Sequence, residues 1–375
     1  MKCIQCGTDN NLKDRTANQG RCKNCYHRFA FEPTTMSAKT RFTDQFFAKL
    51  LNDLSANNTL YFTPKQLFYL LEKRLAKKQR KTEIGGTIGC GFILIIFGLF
   101  SIITPIGWLL LVIGVLVIFL GWLQSQSKPK YPKTLLITQA MTEAWLERWN
   151  QANPTPEKLL QQPCQQSIRV NIKPDIAAYS FDRLVVCDRA EIAQMLIANN
   201  FHFDNNCAVL SLTGYPQSIF EMTMQMLRNN PNLQVYGLHD CSPGGMKLVH
   251  QLQTDANWFA ENNVVIVDVG LLPRQIMATK QNMPIQVSEA SAAAAKALST
   301  EIRQNLLPQE LEWLESGNFV EIESFTPLRL MQILNSSIAK SNRNIIDGSD
   351  QGLDGMDLTI ENDNDNYFYV IDSFG

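Results

Sequence analysis

From Ile84 to Ile103 the chain runs for 20 residues, IGGTIGCGFILIIFGLFSII, without a charge. A helix of that length covers about 30 Å of hydrocarbon. After Thr104 and Pro105 a second uncharged run of 18 residues, Ile106 to Leu123, carries Trp108 and Trp122 near its two ends, where indole rings favour a membrane interface. The pattern predicts a transmembrane hairpin over 84–123. A helical pair buried in a soluble core is the alternative, but core helices carry a polar stripe and these have none. Gly85, Gly89, Gly91 and Gly98 would let the two helices approach closely. Both flanks are basic, with Lys73, Arg74, Lys77, Lys78, Arg80 and Lys81 before the first span and Lys128, Lys130 and Lys133 after the second. Excess positive charge stays in the cytosol, so the expectation is a two-pass protein of the inner or plasma membrane with both termini cytosolic. With no charged side chain in the spans, they read as an anchor.

Beyond the hairpin the periodicity changes. A polar, helix-compatible stretch lies around Thr134 to Gln151, and residues 181–270 then alternate strand-like and helix-like runs. Strands are predicted at 184–187, 208–212, 234–238 and 264–269, and helices at 190–199, 217–229 and 245–253. Such alternation implies an α/β domain with a parallel sheet and crossover helices, in which functional groups gather at the carboxyl ends of strands. Asp188 and Asp240 fall at those ends.

Charge refines the picture. The net charge of -1 hides an asymmetry: residues 1–83 hold 16 Lys/Arg against 7 Asp/Glu, so the N-terminal part is the basic one. That suits phosphate partners, anionic lipid and nucleic acid alike. Of the nine cysteines, Cys3, Cys6, Cys22 and Cys25 form two C-x-x-C pairs separated by 15 residues. Two tight turns at that spacing present four thiolates tetrahedrally to zinc, and a closed four-thiolate set predicts a structural rather than catalytic ion. Phe29 and Phe31 would supply the apolar side of this ribbon. An odd cysteine total, with the other five scattered, fits a reducing compartment rather than a disulfide framework. The chain thus divides into a zinc ribbon at 1–33, a helical segment at 40–82, the hairpin at 84–123, an α/β domain at 134–341 and an acidic tail at 342–375.

The runs LVVCDRAEIAQML (184–196), VLSLTGYP (209–216) and VYGLHDCSPGGMKL (235–248) resemble, in order and spacing, the Toprim domain of the meiotic double-strand-break protein and of its relative, the topoisomerase VI A-subunit. VEIESFTPLRL (320–330) is similar to the segment that follows the Toprim fold in that family, so the likeness spans about 181–335. It implies a Toprim-like Rossmannoid sheet. Ahead of the hairpin, FTPKQLFYLLEKRL (62–75) resembles the family's winged-helix segment, with Tyr69 at the place of the DNA-cleaving tyrosine and Lys65 where the family has Arg.

The resemblance further implies a magnesium site beside the scissile phosphate, built from three carboxylates because this hard cation takes oxygen ligands. Asp188 stands where the family has Glu, Asp240 matches its first Asp, and Ser242 replaces its second. A hydroxyl removes a charge that magnesium affinity needs; Glu191, one helical turn after Asp188, could restore it. Ser242, Gly244 and Gly245 could form an anion-binding turn at a helix start, since glycines allow close backbone approach. Cys241, beside His239 and Asp240, reads as packing, because adjacent strand residues point to opposite faces.

Three functions are compatible with these residues. The favoured one is a membrane-anchored, catalytically degenerate Toprim-like protein that binds DNA or another phosphate-bearing partner. A second is a magnesium-dependent DNA-cleaving enzyme using Tyr69, Asp188 and Asp240. The third is a membrane-tethered scaffold for protein partners. The tail holds eight Asp/Glu against one Arg, which predicts disorder, and 350–361 partly fits a calcium loop.

Overall fold

The computed structural model describes residues 1–101, 105–126, 135–163, 181–228, 230, 232–260, 264–278 and 283–347. Helix α1 (Leu12–Ala17) links the two cysteine pairs, its start capped by Asn11 and Asp14 reciprocally. Helix α2 (Asp44–Leu54) follows, capped by the Thr43 hydroxyl. Helix α3 (Pro64–Phe100) begins at a Thr63/Gln66 capping box with Pro at its first position, where proline's fixed φ suits a helix start. It then runs unbroken for 37 residues, from the soluble body through the first uncharged run.

The base of α3 packs with α2 and with α5 (Gln139–Ala152) around Phe31, Phe42, Phe47, Trp145 and Trp149. Phe31 therefore belongs to this helical core, and Phe29 alone of the predicted pair packs on the cysteines. Two buried carboxylates stitch the unit together. Asp44 accepts from the N–H groups of Ala30 and Phe31, each at 2.9 Å, which ties the ribbon to α2. Glu72 accepts from Leu136 N (2.9 Å) and Ile137 N (3.1 Å), which clamps the chain returning from the hairpin onto the foot of α3.

Helix α4 (Pro105–Gln126) lies antiparallel to the upper part of α3. Both helices are long and apolar enough to cross a membrane, and their outward side chains, among them Phe92, Phe97, Leu109, Phe119 and Trp122, are exposed. Close approach is set by Gly91 and Gly98 on α3 and by Gly114 and Gly121 on α4. An added Cβ on any of the four would come within 2.6–2.8 Å of Ile118, Leu111, Ile95 or Ile88. Gly85 and Gly89, also expected at the seam, face open space. The seam glycines are seven apart on each helix, two turns, so they recur on one face.

In the C-terminal part β1 (Arg183–Cys187), α6 (Ala190–Ala198), α7 (Phe201–Asp204), β2 (Cys207–Ser211), α8 (Phe220–Arg228), β3 (Gln234–Leu238), α9 (Leu248–Thr254) and β4 (Val265–Asp268) follow one another. The four strands form a parallel sheet in the order β2-β1-β3-β4, with Val185 opposite both Val209 and Tyr236. The predicted third helix begins as a single 3-10 turn at Gly245–Lys247 before α9. Both faces of β1, β2 and β3 are buried, as parallel sheets favour, while β4 is a partly exposed edge. Val185, Cys187, Val209, Tyr236 and Leu238 enter one core, while Leu184, Val186, Leu210 and Val235 enter the other.

Helices α10 (Pro273–Ala278), α11 (Glu289–Lys296), α12 (Thr300–Gln304) and α13 (Pro308–Glu315) complete the domain with an antiparallel pair, β5 (Gln286–Val287) and β6 (Asn318–Phe319). Helix α14 (Pro327–Asp347) buries Leu330, Ile333, Leu334 and Ile338 on the first core, and it carries helix past the predicted domain end at 341. The flanking Lys128, Lys130 and Lys133, the calcium-loop candidate and most of the acidic tail lie outside the described residues.

Candidate functional site

The connections from β1 and β3 leave the sheet in opposite directions, and where that happens in an open parallel sheet a crevice opens at the carboxyl ends of the strands. Asp188 follows β1, its N–H extending the ladder to Leu238 O at 3.0 Å. Asp240 follows β3 by two residues, and its N–H donates to Asp188 Oδ2 at 3.0 Å. The two acids predicted at strand ends therefore meet. Cys241 and Val320 exchange backbone hydrogen bonds of 3.0 and 2.9 Å, bringing the segment after β6 alongside. Ile322 N–H donates to Asp240 Oδ1 at 2.6 Å, and its neighbours Glu321 and Glu323 bring two further carboxylates to the crevice.

A guanidinium lies between these acids. Arg189 Nη2 is 2.9 Å from Asp240 Oδ2 and also bonds Glu323, Nη1 is 3.5 Å from Glu321, and Nε is 3.9 Å from Asp188. Burial and the facing Asp188 push the Asp240 carboxyl well above the usual carboxylate range. Burial likewise lifts Glu323, which is 1% exposed, to about 6.

Tyr69 reaches the same place from α3. Its hydroxyl donates to Glu321 Oε2 at 2.6 Å and accepts from the Gln286 side chain, while Lys65 holds Glu321 Oε1 at 2.6 Å. Tyr69 is only 3% exposed, and burial followed by the Glu321 charge raises its phenol further from ionisation. Glu321 itself is held below its ordinary range; burial opposes that, but Lys65 outweighs it.

Behind the crevice His239 is fully enclosed. Its Nδ1 lies 2.8 Å from the Asp240 carbonyl and its Nε2 3.1 Å from Asp268 Oδ1. Both neighbours are acceptors, so each ring nitrogen must carry a proton and the ring is an imidazolium. Burial disfavours that charge, yet Asp268 and the Asp240 carbonyl raise the ring to about 9.

The Ser242–Gly245 turn is self-contained in this geometry. Ser242 Oγ accepts from Gly245 N at 3.1 Å, and Met246 N donates to Ser242 O at 3.0 Å. A Cβ on Gly245 would fall 2.1 Å from the Asp240 carbonyl, so only glycine fits there. Gly244 lies beside the Ser242 hydroxyl. Glu191 is not among the acids around Arg189; it lines a separate cavity of about 430 Å³ with Gln162, Thr213, Tyr215 and Gln217. Cys241 is packing, as expected, fully buried in the first core.

Residues 184–339 match the Toprim domain of the Topoisomerase 6 A-subunit/Spo11 family. This stretch is a Toprim domain. The match takes in Asp188, Arg189, Asp240, Ser242, Glu321 and Glu323; the cysteine pairs, α2, α3 and the hairpin lie outside it. No curated protein matches the chain. Magnesium is the ion this fold implies, and the oxygens of the Toprim crevice are of the chemical kind it takes. As arranged, however, they surround a guanidinium: each of the four carboxylates has an oxygen within ion-pair distance of Arg189. The donor set in this geometry does not fit a hydrated ion.

Sequence inspection passes over Arg189, Glu321 and Glu323. The available signals are an arginine next to the strand-terminal acid and two glutamates spaced two apart in VEIESF, the second of which sits in a 3-10 turn at Ile322–Ser324.

The second candidate site is the N-terminal knuckle. The Sγ atoms of Cys3, Cys6, Cys22 and Cys25 all lie within 4.8 Å of one another, with Cys3–Cys25 and Cys6–Cys22 each at 3.6 Å. Ligands about 2.3 Å from a tetrahedral zinc ion would sit about 3.8 Å apart, so the four sulfurs fit that metal. Asn10, fully buried, donates from Nδ2 to Cys22 Sγ at 3.4 Å and accepts Lys23 N at 2.8 Å, which orients the thiol from behind. The adjacent Thr8 lowers the Cys6 thiol to about 6. At Cys25 the His27 backbone is outweighed by burial and the neighbouring thiols, which push that thiol up to about 12, so without a cation the cluster does not hold four thiolates together.

Proposed function

We propose that this chain is a membrane-anchored, non-cleaving Toprim-like protein that binds nucleic acid or another phosphate-bearing partner near the membrane. The Toprim domain supports a nucleic-acid-related role. The observation that carries the non-cleaving part is the state of Tyr69. A nucleophilic phenol must shed its proton and reach a phosphate, whereas this hydroxyl is buried, donates to a carboxylate that Lys65 already neutralises, and resists ionisation. Anchoring is supported by the two apolar helices, and a cytosolic site for both termini by the basic stretch Lys73–Lys81 at their foot. The four clustered cysteines support one structural zinc.

One observation favours the enzymatic alternative. Tyr69 lies three contacts from Asp240, through Glu321 and Arg189, so the residues such a reaction would use are gathered in one region. Purified full-length protein in uncharged nanodiscs, titrated with labelled duplex at low salt and with magnesium, separates the possibilities. Salt-sensitive binding with intact strands is the expected outcome. A covalent protein–DNA adduct that disappears in Tyr69→Phe would establish the enzyme instead, and no binding at any salt would leave a scaffold for protein partners.

A further inference from the structure

Four carboxylates from three separate segments converge on one point. Asp188 comes from the end of β1, Asp240 from beyond β3, and Glu321 and Glu323 from the link between β6 and α14. Such a gathering is unstable without positive charge, because each added carboxylate is repelled by the others and taken out of water. An ion could supply that charge. Here the chain supplies it covalently, from the residue that follows Asp188. Arg189 turns its side chain back into the crevice, where its nitrogens lie within ion-pair distance of all four acids. Its planar fork suits several carboxylates at once, which a lysine point charge would not. Lys65 adds a second cation at Glu321, and the ordinary alternative, a solvated surface pair, is excluded by side-chain exposures of 1% for Glu323 and 9% for Asp240.

Magnesium demands near-octahedral oxygens at about 2.1 Å. Asp240 and Glu323 hydrogen-bond the guanidinium, whereas Glu321 and Asp188 face it at 3.5 and 3.9 Å, and Asp188 Oδ1 and Glu323 Oε1 keep no hydrogen-bond partner. The four acids are thus spaced around a guanidinium that fills the centre on which an ion would need them to close. We infer that Arg189 is the resident cation of this crevice, filling the place of a divalent ion and excluding it, and that its removal converts the four carboxylates into a divalent-cation site. This deepens the non-cleaving reading of the same crevice and rests on it; ion binding without strand scission would sink the inference and leave that reading standing.

The test uses manganese as a paramagnetic probe of the zinc-loaded, full-length protein in uncharged nanodiscs, with bound ion counted by electron paramagnetic resonance. Wild type and Asp240→Asn should bind the same amount of manganese, since no ion depends on Asp240 while Arg189 is present. Arg189→Ala should gain one equivalent, and the double variant Arg189→Ala/Asp240→Asn should lose it again. An ion in wild type that Asp240→Asn removes overturns the inference, and that comparison needs no Arg189 variant to fold. A folded Arg189→Ala that gains no manganese overturns it equally. If Arg189→Ala does not fold, Arg189→Gln, which keeps much of the side chain's bulk, takes its place under the same criterion.

Discussion

A buried imidazolium is an uncommon way to build the floor of a cleft, and at His239 it makes stability depend on pH in a particular window. The ring is raised to about 9 in the folded chain, against about 6.5 for an unfolded histidine. A group raised on folding contributes stability that is complete below its unfolded value and is lost as pH climbs through its folded one. The melting temperature of wild type should therefore exceed that of His239→Gln by its full margin near pH 6. That margin should shrink steadily toward about pH 9. A margin constant across the range, read by circular dichroism, would mean the ring is neutral throughout. Gly270 closes on one side of the ring, since a Cβ there would strike it at 2.4 Å.

At the scale of elements, the helical hairpin gives a contrast between glycines that look equivalent in sequence. Gly91→Val puts side-chain bulk where even a Cβ would lie 2.6 Å from Ile118 Cγ1, whereas Gly85→Val extends into open space. Overpacking of this kind costs about 1–3 kcal/mol. In mixed micelles of rising dodecyl sulfate, Gly91→Val and Gly114→Val should unfold earlier than wild type and Gly85→Val should not. All three unfolding together would mean the seam is not where the structure places it.

The same hairpin shows what is legible in the sequence. Uncharged length announces a membrane-competent helix, but which glycines meet depends on rotation about each axis, and that is set by the partner helix. Alternation likewise locates all four strands of the sheet to within a residue or two, because burial on both faces leaves a continuous apolar run. Asp188 and Asp240 stand out because strand ends are where chemistry collects. Arg189, Glu321 and Glu323 do not, since the last two arrive from a segment some eighty residues beyond Asp240 and nothing local marks that meeting. Phe31 lies next to the ribbon in sequence, yet it packs against Trp149 from α5, a contact that only the folded chain reveals.

For the whole molecule, the described soluble parts are three: Phe31 and the Asp44 clamp join the ribbon to the helical unit, and Lys65 and Tyr69 join that unit to the Toprim domain through Glu321. Among the described residues the ribbon's own core is Cys3, Cys22 and Phe29 with flanking Met1 and Cys25, small enough that a bound metal would supply much of its stability. On the zinc reading, one equivalent should be released when the thiols are titrated with a mercurial. Chelation should then unfold the ribbon while leaving the sheet intact, as followed by hydrogen exchange of residues 1–30 against 183–211. Asn10→Ala should lose zinc about 10-fold more readily, because it removes a hydrogen bond to a ligand sulfur. Retention of ribbon protection after complete chelation would show that the cysteines are merely packed.

Helix α3 passes from the crevice to its apolar end without a break, and Glu72 pins the returning strand of chain to its foot. On the anchored reading, a body held to a bilayer by such a rod and rivet would have little freedom to spin or nod. Its cleft would keep a constant compass bearing relative to the lipid plane, so partners would be sorted by the angle of their approach before any of their chemistry is felt.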